Sequence, residues 1–434
     1  MLFTVTPSVF GQQIGATDRA SALGGVSLEN DAQRFAAGLV GQGKGKGFSV
    51  DYVFKGGTTD GAAPTASLIQ DAAGNLYGTT SSGGGSGCSG FGCGIVFKLD
   101  TANHETVLHA FTDRPDGAIP YGRLVLDVDG SGNLYGTTSV GGTYGMGTVF
   151  KIDSSGTESV IYSFAGYPDG ANPYAGLVMD NSGNLYGTTE NGGTSRLGTI
   201  FKIDTGGNET VLHSFAGGLT DGADPKADLI LDAAGNLYGT TFLGGSRSFG
   251  TVFELDTTNT ETILHNFTGG TDGGNPFGGL TRDSGGTLYG TAENGGSRSL
   301  EGALTSYLDR VQPEIPHGCC KGVVFALSGS GEKVLYTFSG GNDGGTPVGD
   351  LALYNGLLYG TTLSGGPGQG HQGTAFSVTI ANGNETVLHG FTGGKDGGTP
   401  QGGLLMNAAG VLYGTAEKGG GPNRHGTVFQ YKTN

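Results

Sequence analysis

The chain has 434 residues; 91 are glycine, 35% are apolar, none is tryptophan, and the formal net charge is −16. Acidic residues spread along its whole length argue against binding phosphate backbones or anionic membranes, which excludes nucleic acid as a partner. No apolar run approaches the roughly 20 residues that cross a bilayer as a helix, and glycines recurring at fixed places in a longer unit exclude collagen and plain disorder.

Residues 1–48 match no repeat. The opening "MLFTVTPSVFGQQIGATDRA" has no basic n-region and only a short, Pro-interrupted apolar run, a poor match to a signal peptide. "SLENDAQRFAAGLVG" reads as one short helix, and "GQGKGKG" as a flexible lead into the repeats.

From residue 49 to 434 one unit recurs. Its copy at 169–215 reads "DGANPYAGLVMDNSGNLYGTTENGGTSRLGTIFKIDTGGNETVLHSF" and splits into four short runs separated by turn residues. "YAGLVMD" is followed by a tight turn in which Gly183 takes positive φ at no steric cost. "LYGTT", a glycine-rich loop, "GTIFKID", a second turn and "ETVLHSF" complete it. Four antiparallel strands per unit without helical periodicity predict a propeller blade. Three landmarks each count seven copies. They are the LYG tyrosines (Tyr77 to Tyr413), the third-strand phenylalanines (Phe97 to Phe429) and the DGxxP aspartates (Asp60 to Asp396). The chain ends on a third strand, "GTVFQYKTN", and the repeats begin on a fourth, "SVDYVF". The fold class is therefore all-β: a seven-bladed propeller whose N-terminal strand completes the last blade and removes the exposed edge. A solenoid, the alternative, needs capping units instead.

The second residue after each DGxxP proline is small (Ala66, Gly122, Ala175, Ala227, Gly278, Gly349, Gly402), as crowding around a central channel requires. On the fourth strand His109, His213, His265 and His389 alternate with Tyr52, Tyr162 and Tyr336. Exchange of His with Tyr points to shape and a hydrogen bond rather than to ligation. The DGxxP aspartates read as turn caps, with a ring of cation-binding carboxylates as the alternative.

The succession "LYGTT…GG…GTVFKID…ETVLHSF…DGANP" resembles the GloVer-type tandem-repeat proteins, bacterial surface proteins with a choice of anchor, over roughly 49–432. The resemblance implies a secreted or surface-attached chain and carries no established activity. The GG pair and the repeat length are also similar to kelch propellers, whose aromatic signature is absent.

Features that break the repeat are the candidates for function. "GSGCSG" at 85–90 fits a phosphate-loop pattern only by glycine abundance, "HETVLH" has one residue too many for a zinc-protease motif, and no GxSxG is present. Where four blades carry Gly or Ser before the inner-strand Leu, the others carry Arg123, Asp228 and Asp350; nearby stand Tyr121, Tyr174 and Lys226. Converging on a concave mouth, these are the expected ligand-binding residues. The turn "DVDGSGN" has two extra residues, and Asp127, Asp129, Ser131 and Asn133 at alternate positions resemble half of a calcium loop, so a structural Ca²⁺ is the one cofactor considered. All four cysteines, Cys88, Cys93, Cys319 and Cys320, lie in the two longest loops, which suits stapling in an oxidising compartment, with Cys88–Cys93 the favoured bridge. The longer loop, an insertion at 297–321, contains a short helical pattern, and a lid over the mouth would bring Tyr307, Arg310 and His317 into contact with a ligand.

The sequence thus predicts a monomeric extracellular or surface propeller that binds or displays, with a carbohydrate or a protein surface as partner. A hydrolase or lyase using mouth carboxylates, and a structural spacer, are the alternatives.

Overall fold

The computed structural model describes residues 47–296, 322–367 and 370–433. Within them the chain forms a ring of antiparallel sheets, one per repeat, with no α-helix. Blade 3 shows the pattern. Its strands Val178–Met179, Leu185–Thr189, Thr199–Ile203 and Glu209–Ser214 lie side by side in chain order from the channel outward. The outer strand slips register opposite Ile200 and Phe201 of the third strand, and the same bulge recurs opposite Val96/Phe97, Val149/Phe150 and Val252/Phe253. Blade 6 differs in that its second strand, Leu357–Ser364, also pairs with a short extra strand, Gly345–Pro347.

Blade 7 is closed as the two ends of the repeat array predict. Gly47–Val53 pairs antiparallel with Thr427–Lys432 and supplies its outer strand. That strand begins at Gly47, so residues 47 and 48 belong to the ring rather than to the preceding segment. The expected helix at 27–41 and the insertion at 297–321 lie outside the described residues.

The structure gives each letter of "NLYGTT" a task. In blade 3 Asn184 donates through its backbone and side-chain N–H groups to Asp180, closing the turn. Leu185 is buried, and the Tyr186 hydroxyl reaches back to Asp180 at 3.1 Å. Gly187 leaves room for Phe201, whose Cζ would lie 2.7 Å from an added Cβ. Thr188 donates to the carbonyl of Ala227 in the next blade, and Thr189 caps its own loop at Asn191 O.

Ring cohesion comes from such contacts repeated at every seam. The first threonine of the motif bonds a carbonyl of the following blade seven times, from Thr79 to Gly122 round to Thr415 to Ala66, at 2.7–3.5 Å. The phenylalanine ending each outer strand meets the third-strand phenylalanine of the next blade edge-on. These pairs run from Phe54–Phe97 to Phe391–Phe429, with centroids 5.0–5.4 Å apart. Edge-to-face geometry and full burial make each pair a substantial hydrophobic contact. At the channel, an added Cβ on Gly402 would meet the Ala66 backbone at 2.7 Å, which is why the post-proline position stays small.

Candidate functional site

Two kinds of loop emerge on one face of the ring. The DGxxP segments pair with the loops between second and third strands, as in Gly170–Ala171 with Asn191–Gly192 and Gly222–Ala223 with Leu243–Gly244. The residues following the prolines, Tyr121, Tyr174, Lys226, Phe277 and Gln401, therefore gather at the channel mouth on that face. They line a cavity with Arg123, Asp228 and Asp350 beneath them. Its volume is about 60 Å³, room for a few water molecules.

The structure brings the predicted mouth residues together and gives each an internal partner. The Asp228 carboxylate accepts the backbone N–H of Gly176 at 2.6 Å, and its other oxygen lies 3.3 Å from Arg123 Nε. Asp350 accepts Gly279 N–H at 2.6 Å, and the Ser67 hydroxyl accepts Gly403 N–H at 2.8 Å. A polar side chain on one blade thus clasps the glycine of the blade before it. Burial pushes the Asp228 carboxyl up to about 6, the nearby Asp350 charge adds to this, and Arg123 opposes it. Above them Tyr121 and Tyr174 stack at 4.3 Å, and Phe277 meets Tyr174 edge-on at 5.8 Å. Burial raises the hydroxyl pKa of both tyrosines. Lys226 pairs with Glu190 at 2.9 Å and lies 5.1 Å over the Phe242 ring, while Gln401 donates to Glu417 at 2.7 Å.

Other predicted residues fall elsewhere. Cys88 and Cys93 are joined in a disulfide. In the turn at 127–133 the Asp127 carboxylate accepts from Ser131 Oγ, Asn133 Nδ2 and Tyr135 OH at 2.9–3.1 Å, and Asp129 accepts from Ser131 N at 2.7 Å. Asp71 and Asp180 make the Asn and Tyr bonds in their shorter turns. Tyr307, Arg310, His317, Cys319 and Cys320 lie outside the described residues.

Six of the seven His and Tyr residues of the outer strand form the hydrogen bond that their exchange implied, and His265 stands 3.5 Å from Asp272. Each faces a DGxxP aspartate, as in Tyr162 OH to Asp169 at 3.1 Å and His109 Nε2 to Asp116 at 3.0 Å. The aspartates also cap their turns, Asp169 accepting Ala165 N–H and Gly170 N–H.

One set of residues escaped the sequence reading. Phe91, Tyr144, Tyr167 and Leu219 are 78%, 57%, 62% and 73% exposed, large apolar side chains held out to solvent. All four stand in mouth-face loops of blades 1–4, and Arg196 lies 5.7 Å over the Tyr167 ring. Their signal in the sequence is an aromatic or leucine interrupting a Gly/Ser loop, which the repeat pattern masks because it aligns loops by their glycines.

A family model of the Gloeobacter/Verrucomicrobia repeat matches residues 35–164, 87–305 and 318–434. No curated protein matches the sequence. Among solved structures the chain is similar in fold to the extracellular domain of a protein assigned as a one-component system from B. thetaiotaomicron, with a TM-score of 0.50 and 12% identity over 90% of this chain and 43% of that one. A protein assigned as a 6-phosphogluconolactonase from Bacteroides uniformis matches with a TM-score of 0.47 and 14% identity over 79% and 89% of the two chains. A luciferin-regenerating enzyme gives 0.41 and 10% over 89% and 95%.

Proposed function

The chain belongs to the Gloeobacter/Verrucomicrobia repeat family, and from that premise we propose that it is an extracellular binding module whose contact surface is the mouth face of blades 1–4. The observation that carries this reading is the asymmetry of that face. On a scaffold where nearly every feature occurs seven times, Phe91, Tyr144, Tyr167 and Leu219 stand exposed in these blades without repeat equivalents. Exposed aromatic groups rimmed by polar ones are what a recognition surface presents. The Cys88–Cys93 bridge holding the Phe91 loop suits an oxidising compartment.

A carbohydrate is the favoured ligand, since Tyr144 and Tyr167 offer aromatic side chains to sugar rings on the face whose mouth is lined by Tyr121, Lys226 and Gln401. Leu219 and Phe91, fully apolar, favour a protein surface as the second reading. The hydrolase or lyase reading is less well supported, because an oxygen of both Asp228 and Asp350 is already committed to a backbone N–H.

The test is retention of the protein on immobilised polysaccharides and a glycan array. A Tyr144→Ala/Tyr167→Ala double variant should bind about tenfold more weakly, from the loss of two ring contacts at about 0.5–1.5 kcal/mol each. Retention that is equal in parent and variant would overturn the assignment of the surface, and no retention on any glycan would leave the protein-surface reading in its place.

A further inference from the structure

Each seam between blades holds three groups near its outer rim: the outer-strand His or Tyr, the DGxxP aspartate, and, in six of the seven, a glutamate from the outer strand of the next blade. The glutamates are Glu105, Glu158, Glu209, Glu261, Glu332 and Glu385, and each has a buried carboxylate oxygen, Oε1, without a hydrogen-bond partner. Leaving a buried carboxylate oxygen unpaired is costly, so something must satisfy it. In the Tyr seams the neighbouring groups are a phenol and a carboxylate. The seam between blades 3 and 4 offers more.

There His213, Asp221 and Glu261 place their ligand atoms within 4.8 Å of one another, the one such group among the described residues. We propose that this seam is a binding site for a divalent transition-metal cation of the Zn²⁺ class, held by His213 Nε2 and one carboxylate oxygen each from Asp221 and Glu261. His213 Nε2 and Asp221 Oδ1 are 3.3 Å apart, the edge expected for two ligands each about 2.0–2.1 Å from one tetrahedral ion. The glutamate needs to close by up to about 1.5 Å, from within 4.8 Å to a 3.3 Å edge, to complete the set, and its unpaired oxygen gives it reason to. Two of the ligands are already held in place. Asp221 accepts backbone N–H bonds from Ala216 and Gly222, both at 2.6 Å, and the His213 ring is braced edge-on against Phe215 at 4.8 Å. One imidazole and two carboxylates match a borderline cation rather than the all-oxygen shell that Ca²⁺ prefers. Access is from the rim, where the His213 side chain is 20% exposed, and a fourth position is left for water. The other seams supply a control in the same fold. Tyr162 stands where His213 does and bonds Asp169, so a tyrosine there is compatible with a closed ring and removes the nitrogen ligand.

The full chain, stripped with EDTA, is titrated with Zn²⁺ by calorimetry and with Co²⁺ by visible absorption. We expect one saturable site with tetrahedral Co²⁺ bands, weakened at least 100-fold in His213→Tyr and at least tenfold in Glu261→Gln. Both variants should keep the parent's circular dichroism and melt no lower than the parent in EDTA. Should His213→Tyr fail to fold, Glu261→Gln alone decides. The proposal is overturned if Zn²⁺ does not bind, if it binds the folded variants as tightly as the parent, or if bound Co²⁺ lacks tetrahedral bands. Ca²⁺ run in parallel reports separately on the oxygen-only turn at 127–133, and Ca²⁺ binding that His213→Tyr abolishes would also overturn it.

Discussion

Replacing Glu209 with glutamine isolates the charge at a seam where no metal is proposed. Glu209 sits beside Asp169, whose carboxylate already accepts from the Tyr162 hydroxyl and from two backbone N–H groups. Burial, reinforced by the Asp169 charge, pushes the Glu209 carboxyl up to about 7 from 4.5. Between those two values the folded protein holds a proton that the unfolded chain has released. By linkage, stability present below pH 4.5 is therefore lost as pH rises to about 7 and stays lost above it. At 1.36 kcal/mol per pH unit the displacement corresponds to at most about 3 kcal/mol. The side chain is only partly buried, and solvent screening reduces this to about 1–2 kcal/mol. Glutamine keeps the shape, carries no charge and can donate to Asp169. Glu209→Gln should therefore be more stable than the parent by about 1–2 kcal/mol at pH 8 and equal to it within about 0.5 kcal/mol at pH 4.5. Urea unfolding midpoints across pH 4.5–8.5 give the difference directly, with every other titrating group cancelling between the two proteins. A gain of the same size at all pH values, or a loss at pH 8, would refute the reasoning. Glu385, beside Asp343 in another Tyr seam and also pushed up to about 7, should add its own increment in a double variant.

Two further outcomes concern the ring itself. Gly187→Ala places a methyl 2.7 Å from Phe201 Cζ and 2.9 Å from Leu177 Cδ2; the glycine is not at positive φ, so the loss of about 1–3 kcal/mol read from urea unfolding measures overpacking alone. Phe164→Ala, which empties the edge-on contact with Phe201 between blades 2 and 3, should cost about 3–5 kcal/mol, and a cost below about 1 kcal/mol would mean that the seam collapses without it.

The legibility of the ring comes from what repetition encodes. Its strand order and its closure by the N-terminal strand could be read because each residue of "NLYGTT" serves a contact within a blade or across one seam, and seven seams print it seven times. The His/Tyr position was legible for the same reason, since two side chains of different chemistry share only a shape and a hydrogen bond to Asp. The mouth was legible as a place but not as a chemistry. Asp228 and Asp350 stand out in the sequence as departures from Gly, yet nothing there shows that Gly176 and Gly279 turn their N–H groups toward these carboxylates. Those partners are 52 and 71 residues away in the chain. The exposed Phe91, Tyr144, Tyr167 and Leu219 were hidden differently, inside loops whose glycines set the alignment.

The seam glutamates show what repetition conceals as well as what it reveals. A residue present in six of seven copies looks like scaffold, yet each copy leaves one buried oxygen without a partner. In the remaining seam Phe48 occupies the place of the glutamate and stacks on the His389 ring at 3.6 Å, nearly parallel. That seam joins blades 6 and 7, and its aromatic partner is supplied by the strand that closes the ring. There burial pulls His389 below its ordinary pKa against the opposing pull of Asp396. The closing strand thus replaces a charge that would have to be neutralised with a ring that needs no partner. The blade completed from two distant parts of the chain is stapled by a ring stack in place of a carboxylate, whereas the other six seams carry the glutamate.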